Sequence, residues 1–171
     1  MLSNVETHPD YFNRLRELLA ALGPRVTLRT QLPFAEIKTA YESAAIALVP
    51  SKWQEPFGRT ALEAHAGGAA LISSGTGGLS EISGGTALML SSVTPEAIAA
   101  AIETLIVHPE LRHRLARAGA ERVRGRFDIK TQASRLDRFC QAVANGWQAA
   151  SSDCVPSDCA EGGAEKGGAA Q

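Results

Sequence analysis

Nothing in this sequence is long and apolar enough to cross a bilayer. No uninterrupted apolar run is longer than the six residues of Ala44–Val49, a fraction of the roughly 20 residues that a spanning helix requires. Nor does the N-terminus, Met1-Leu2-Ser3-Asn4-Val5-Glu6, have the basic start and apolar stretch of a secretory signal. A net charge of -1 removes the electrostatic reason to expect nucleic acid or an anionic surface as a partner. Three cysteines are too few and too scattered for a disulfide framework. Cys154 and Cys159 are separated by four residues, unlike a redox C-x-x-C, and no Cys/His pair accompanies them to complete a zinc site. Cys140 falls in a helical apolar stripe and reads as a small core residue. The expectation is a cytoplasmic protein with reduced thiols and no bound metal, able to sit at a membrane only peripherally, through a partner.

What is present suits one globular body. The chain has 171 residues and is 44% hydrophobic, enough for a single core. After Gln148 the composition falls to Ala, Ser, Gly, Asp and Glu, with almost nothing to bury. That divides the chain into a domain over 1–147 and a disordered tail over 148–171.

Within the domain, helices alternate with short apolar strands. Pro9 opens a helix with Tyr11, Leu15, Leu18, Leu19 and Leu22 at helical spacing, and Gly23-Pro24 stops it. Val26–Leu28 reads as a strand and Ala35–Ala44 as a helix. Ala45–Val49 has the continuous apolar character of a strand covered on both faces, as in a parallel sheet. A loop from Ser51 to Gly58 leads into a helix from Arg59 to Ala66, closed by Gly67-Gly68. Ala69–Ile72 is a second buried strand, running into Ser73-Ser74-Gly75-Thr76-Gly77-Gly78. A short helix starts near Leu79, and Thr86–Leu90 reads as a small edge strand. Thr94-Pro95, Pro109 and Asp128 then start three more helices, the last with a stripe of Ile129, Ala133, Leu136, Cys140, Val143 and Trp147. This order argues an α/β fold, a doubly wound (Rossmann-like) parallel sheet with flanking helices. Sheets of this kind bind ligands beyond the carboxyl ends of their strands. The loops Pro50–Gly58 and Ser73–Gly78 each follow a strand and therefore share that edge.

Both loops carry residues suited to a polar ligand. Glu55 lies in a loop held by Pro56, and Phe57-Gly58 opens a helix whose first N–H groups attract an anion or a hydroxyl. Glu63 follows on the helix; a carboxylate accepts two hydrogen bonds in a fork, which suits the vicinal hydroxyls of a ribose. Lys52 and Arg59 flank the loop; Lys52 reads first as surface charge, and Arg59 either as surface charge or as a contact for a diphosphate. Gly75, Gly77 and Gly78 let backbone approach a ligand closely, yet Ser80 stands where the dinucleotide fingerprint needs its third glycine, and no Gly-Lys-Ser/Thr of a P-loop is present. His65, beside alanines on a short helix, reads as packing or surface rather than as a base.

The run Val49-Pro50-Ser51-Lys52-Trp53-Gln54-Glu55-Pro56-Phe57-Gly58-Arg59-Thr60-Ala61-Leu62-Glu63-Ala64 resembles the E-x7-E signature of GT-B glycosyltransferases of family 4, the glycosyl transferases group 1. Ala66-Gly67-Gly68-Ala69-Ala70-Leu71-Ile72-Ser73, Gly77-Gly78 and Glu81-Ile82 resemble its next strand and donor-site loop, and Leu32-Pro33 and Tyr41-Glu42-Ser43-Ala44 also fit. The resemblance spans roughly residues 9–147. It implies the C-terminal, nucleotide-sugar-binding half of a GT-B fold and a retaining sugar transfer, without a required metal or cofactor, to a glycan or lipid hydroxyl. It makes Glu55 the catalytic residue, touching hydroxyls of the transferred sugar. It assigns donor binding to Pro56, Phe57, Gly58, Arg59, Glu63, Gly77 and Gly78, with Glu63 on the ribose. It further implies a partner N-terminal domain and a first strand–loop unit absent from this chain, and Ala70 stands where the family usually has Pro. Two alternatives stand beside it: a nucleotide-sugar-binding module or truncated fragment without catalysis, and a plain α/β interaction domain.

Overall fold

The computed structural model describes residues 9–145. The boundary expected at 147, together with Trp147, Cys154, Cys159 and the tail, lies outside the described residues. The chain divides into two compact units, Met1–Glu121 and Arg122–Gln171.

The first unit is built on three parallel strands in the order β1-β2-β3: β1 (Ile46–Val49), β2 (Ala70–Ser73) and β3 (Leu88–Met89). Helices α1 (Pro9–Leu22) and α2 (Phe34–Ser43) precede them, α3 (Arg59–Gly67) and α4 (Gly78–Ser83) connect them, and α5 (Pro95–Val107) and α6 (Pro109–Arg126) follow. β1–α3–β2–α4–β3 is one βαβαβ half of a doubly wound sheet, the α/β class read from the sequence.

The two main strands differ. All four β2 side chains are buried. Alternation sends Ala70 and Ile72 to one face, where they form a core with Leu105 of α5, flanked by Ile102, Leu111 and Leu115. Leu71 goes to the opposite face, the side of α3, whose Ala61 and Ala64 are fully buried. β1, expected to be covered on both faces, is not: its burial alternates and Leu48 is 38% exposed. Among the described residues β1 pairs only with β2, so it is an edge strand, and an edge strand lacks the neighbour whose side chains would complete its cover.

Val26–Leu28, expected as a strand, forms no ladder. A 3-10 turn, Gly23–Arg25, ends at Val26 with φ -123 and ψ 131. No strand pairs with 26–28 among the described residues, and Val26 and Leu28 are exposed. β-branched and apolar residues favour extended backbone, but only a partner makes a strand of it.

Helix starts follow their caps. Thr94 Oγ1 accepts from the Ala97 N–H at 3.3 Å with Pro95 in the first turn, and Asp128 Oδ2 accepts from the Thr131 N–H at 3.0 Å. The latter opens α7 (Ile129–Ala144) in the second unit. Its apolar stripe forms at the expected spacing, yet α7 has no buried residue. Cys140 is exposed, which corrects its reading as a core thiol. A single amphipathic helix cannot bury its own face, and helical periodicity does not say what covers it. No helix of the described residues is long and apolar enough to cross a membrane.

Candidate functional site

The two Gly-containing loops meet at the carboxyl ends of β1 and β2. They are joined backbone to backbone: Glu55 forms an isolated parallel bridge with Gly77, and the Gly78 N–H donates to the Glu55 carbonyl at 2.6 Å. The Ser74 N–H donates to the Val49 carbonyl at 3.1 Å, and Thr76 Oγ1 reaches the Ser51 carbonyl at 3.4 Å. A ladder that begins in the strands thus continues outward through the loops and carries the Glu55 segment with it.

Glycine makes this approach possible. A Cβ on Gly77 would stand 2.3 Å from the Glu55 carbonyl oxygen, and one on Gly78 would stand 2.6 Å from that of Phe57. Gly58, at φ 90 and ψ 40, is the residue before α3, and a Cβ there would meet a Leu79 methyl at 2.9 Å. Three of the seven residues expected to bind a donor therefore act first as contact points between the loops.

Glu55 is partly buried, and its carboxylate is oriented by Ser51 Oγ, which donates to Oε1 at 2.9 Å. Ser51, one turn before Glu55, was not singled out as a site residue from the sequence. A hydroxyl four residues before a loop acid was the available sign. Pro56 lies between Glu55 and Phe57, which is 52% exposed. No side chain caps α3, so its first N–H groups face the loop end without a competing side-chain acceptor.

Arg59 and Glu63 are one turn apart on α3 and pair directly, Arg59 Nε to Glu63 Oε1 at 2.7 Å. The Arg59 side chain is 71% exposed, which limits the pair's contribution to a few tenths of a kcal/mol, about 0.3–0.5. A cation in the first turn of a helix opposes the helix dipole, and here the Glu63 carboxylate offsets it. Glu63 also lines a cleft of about 210 Å³ between α2 and α3, with Phe34, Ile37, Tyr41 and Ala66 among the other walls. Burial, and secondarily the Glu63 charge, push the Tyr41 hydroxyl above its ordinary pKa, so it stays a neutral donor well into alkaline solution. Gly67 lets the two helices close on this cleft, since a Cβ there would stand 2.6 Å from Tyr41 Cβ.

Of the other residues weighed, Trp53 is 63% exposed and Lys52 is exposed at the loop surface. His65 is fully buried, with Nε2 3.4 Å from Thr86 Oγ1, away from the exposed surface where a base would meet substrate. Among the described residues no cluster of three or more His, Cys, Asp or Glu is placed to hold a metal ion.

Comparison with known proteins supplies the context for this geometry. The sequence profile of the family described as Glycosyl transferases group 1 matches residues 8–122. The chain is 32% identical over 139 residues to D-inositol 3-phosphate glycosyltransferase of Corynebacterium glutamicum, covering 80% of this chain and 33% of that protein. It superposes on sucrose-phosphate synthase from Thermosynechococcus elongatus with TM-score 0.70 and 30% identity, over 78% of this chain and 34% of the other. An Anabaena protein solved in complex with UDP and glucose matches with TM-score 0.69 at 21% identity, over 79% of this chain and 37% of the other, a likeness of fold. The chain thus spans about a third of the length of these three proteins.

Proposed function

The chain belongs to the glycosyl transferases group 1 family, and from that premise we propose that it forms the donor-binding wall of a retaining hexosyltransferase. A nucleotide sugar would lie along the edge formed by the Pro50–Gly58 and Ser73–Gly78 loops. The observation that carries this reading is the bridge between Glu55 and Gly77, which holds a carboxylate and a glycine-lined backbone together at the strand ends of a doubly wound sheet.

In the proposed transfer the bond from the anomeric carbon to the diphosphate oxygen breaks. A bond to the acceptor oxygen forms on the same face, and the acceptor proton passes to the departing diphosphate. Backbone N–H groups of Phe57, Gly58 and the start of α3, with Arg59 beside them, would stabilise the charge growing on that diphosphate. This accords with no required metal or cofactor, because fixed donors stabilise a developing anion without reorganising. Glu55, oriented by Ser51, would hold hydroxyls of the transferred sugar and offset positive charge at the reacting carbon. Glu63 would accept from the ribose, and the cleft of about 210 Å³ beside it, lined by Phe34 and Tyr41, would take the nucleoside. Gly77 and Gly78 would line the sugar. The acceptor, a glycan or lipid hydroxyl, would approach from an N-terminal domain facing this edge, in a protein working in the cytoplasm or at a membrane surface.

Titration calorimetry of the chain with UDP-, GDP- and ADP-glucose tests this. Binding of one of them, weakened about tenfold or more by Glu63→Ala, is expected. No heat from any of the three at millimolar concentration would leave a plain interaction domain as the better description. Binding that persists without transfer when a complete second domain is supplied would favour a non-catalytic module.

A further inference from the structure

Arg59 and Glu63 hold each other in the free chain, although a nucleotide sugar would call on both. Arg59 Nε donates to Glu63 Oε1 at 2.7 Å, and the two side chains lie one turn apart on the same face of α3. A ribose diol places one hydroxyl on each oxygen of a carboxylate, and here one oxygen is already engaged by the guanidinium. Lys38, on the wall of the cleft that Glu63 lines, pairs instead with Glu42 at 3.4 Å.

The pair is unequal and weak. The Glu63 side chain is 20% exposed and that of Arg59 is 71% exposed, so opening the pair swings the arginine through water and leaves the carboxylate in place. Order along the helix also works against it. An acid that precedes a base at this spacing gains from the helix dipole, whereas here the base comes first. Breaking an exposed pair of this kind costs only about twofold in an equilibrium constant.

An anion at the start of α3 has the means to break it. Gly58 contributes no capping side chain, so the first N–H groups of the helix favour negative charge at the end from which Arg59 springs. Glu63 lies ~6 Å further along the axis, a separation that the ribose and 5′-diphosphate of one nucleotide can span.

Resting on the donor-site reading above, we propose that Arg59 is a latch on Glu63, which the diphosphate of the donor opens. The diphosphate draws the guanidinium to itself in a charge-assisted contact that replaces the ion pair, and both oxygens of Glu63 become free for the ribose. A nucleoside offers Arg59 nothing and must compete with it. Arg59 thereby makes the site select a nucleotide over the nucleoside of the same base, and ribose and diphosphate bind with positive coupling.

Nuclear magnetic resonance titration, which reaches millimolar Kd, tests this on the full 171-residue chain and its Arg59→Leu variant. The ligands are UDP-, ADP- and GDP-glucose, the matching nucleosides and inorganic pyrophosphate. In the unaltered chain, saturating pyrophosphate should tighten nucleoside binding about twofold, because it opens the latch in advance. In Arg59→Leu the two kinds of ligand should move in opposite directions. The nucleoside should bind about twofold tighter, and the nucleotide sugar about tenfold weaker through loss of its charge-assisted contact. Pyrophosphate should then leave nucleoside affinity unchanged. A damaged fold would weaken both ligands together, and Arg59→Gln, which also lacks the charge, should repeat the opposite shifts. Nucleoside and nucleotide sugar weakened alike in both variants overturn the latch while the donor reading stands. So does nucleoside binding that is indifferent to pyrophosphate in the unaltered chain. No binding of any nucleotide sugar removes the donor reading, and the latch with it.

Discussion

Strand β2 and helix α7 were both legible as apolar patterns, yet they ended in opposite environments. Every β2 side chain is buried, from Ala70 through Ser73, whereas α7 leaves Ile129, Leu136 and Val143 exposed and has no buried residue. An apolar pattern states that an element is able to bury a face. It does not state what the face meets, and only a second element supplies that.

The sharpest way to break this comparison is to truncate one leucine in each. Leu71→Ala should lower stability by about 3 kcal/mol in urea unfolding, since it opens a cavity between β2 and α3. Leu136→Ala should stay within about 0.5 kcal/mol. Equal losses would mean that the α7 stripe is as well packed as the sheet. Next in size, Gly77→Ala puts a methyl group against the Glu55 carbonyl at a backbone φ of 57. About 2–3 kcal/mol should be lost, together with nucleotide-sugar binding. Retained binding would detach the glycine contact from the site. Asp128→Ala removes the α7 cap and should reduce helical ellipticity with a cost of about 1 kcal/mol. The smallest effect concerns Tyr41. A phenol whose folded pKa lies above the unfolded value of about 10 contributes stability that is complete below that pH and declines as pH rises through the folded value. Tyr41→Phe should flatten the decline above pH 10 and leave neutral pH unaffected. An alkaline slope unchanged in the variant would place the titration elsewhere.

Much of the fold is legible in the sequence, because each apolar run is bounded by residues with a local mechanism. Pro50 ends β1, Gly68 closes α3, and Thr94 and Asp128 cap their helices. The placement of the Glu55 and Gly77 loops on one edge was likewise legible, since both follow strands of one sheet. The contact between them was not. It joins residues 22 apart through backbone atoms, which side-chain identities do not encode, and the glycines gave only the possibility of close approach. Ser51 escaped notice for a related reason: a serine in a loop acquires meaning from the carboxylate it reaches. Val26–Leu28 failed as a strand, and Leu48 failed as a buried residue, because pairing and cover belong to the neighbours of a segment rather than to its own sequence.

His65 gains a different importance from its surroundings. A methyl group added at Gly119 of α6 would meet the imidazole Nδ1 at 2.0 Å, so ring and glycine are matched in size, with Thr86 against the other nitrogen. Each residue of a helix advances its side chain by about 100° around the axis. The ring therefore acts as an indexing pin: with position 65 clasped, α3 cannot roll, and the direction in which Glu63 points, two residues earlier, is set from inside the core.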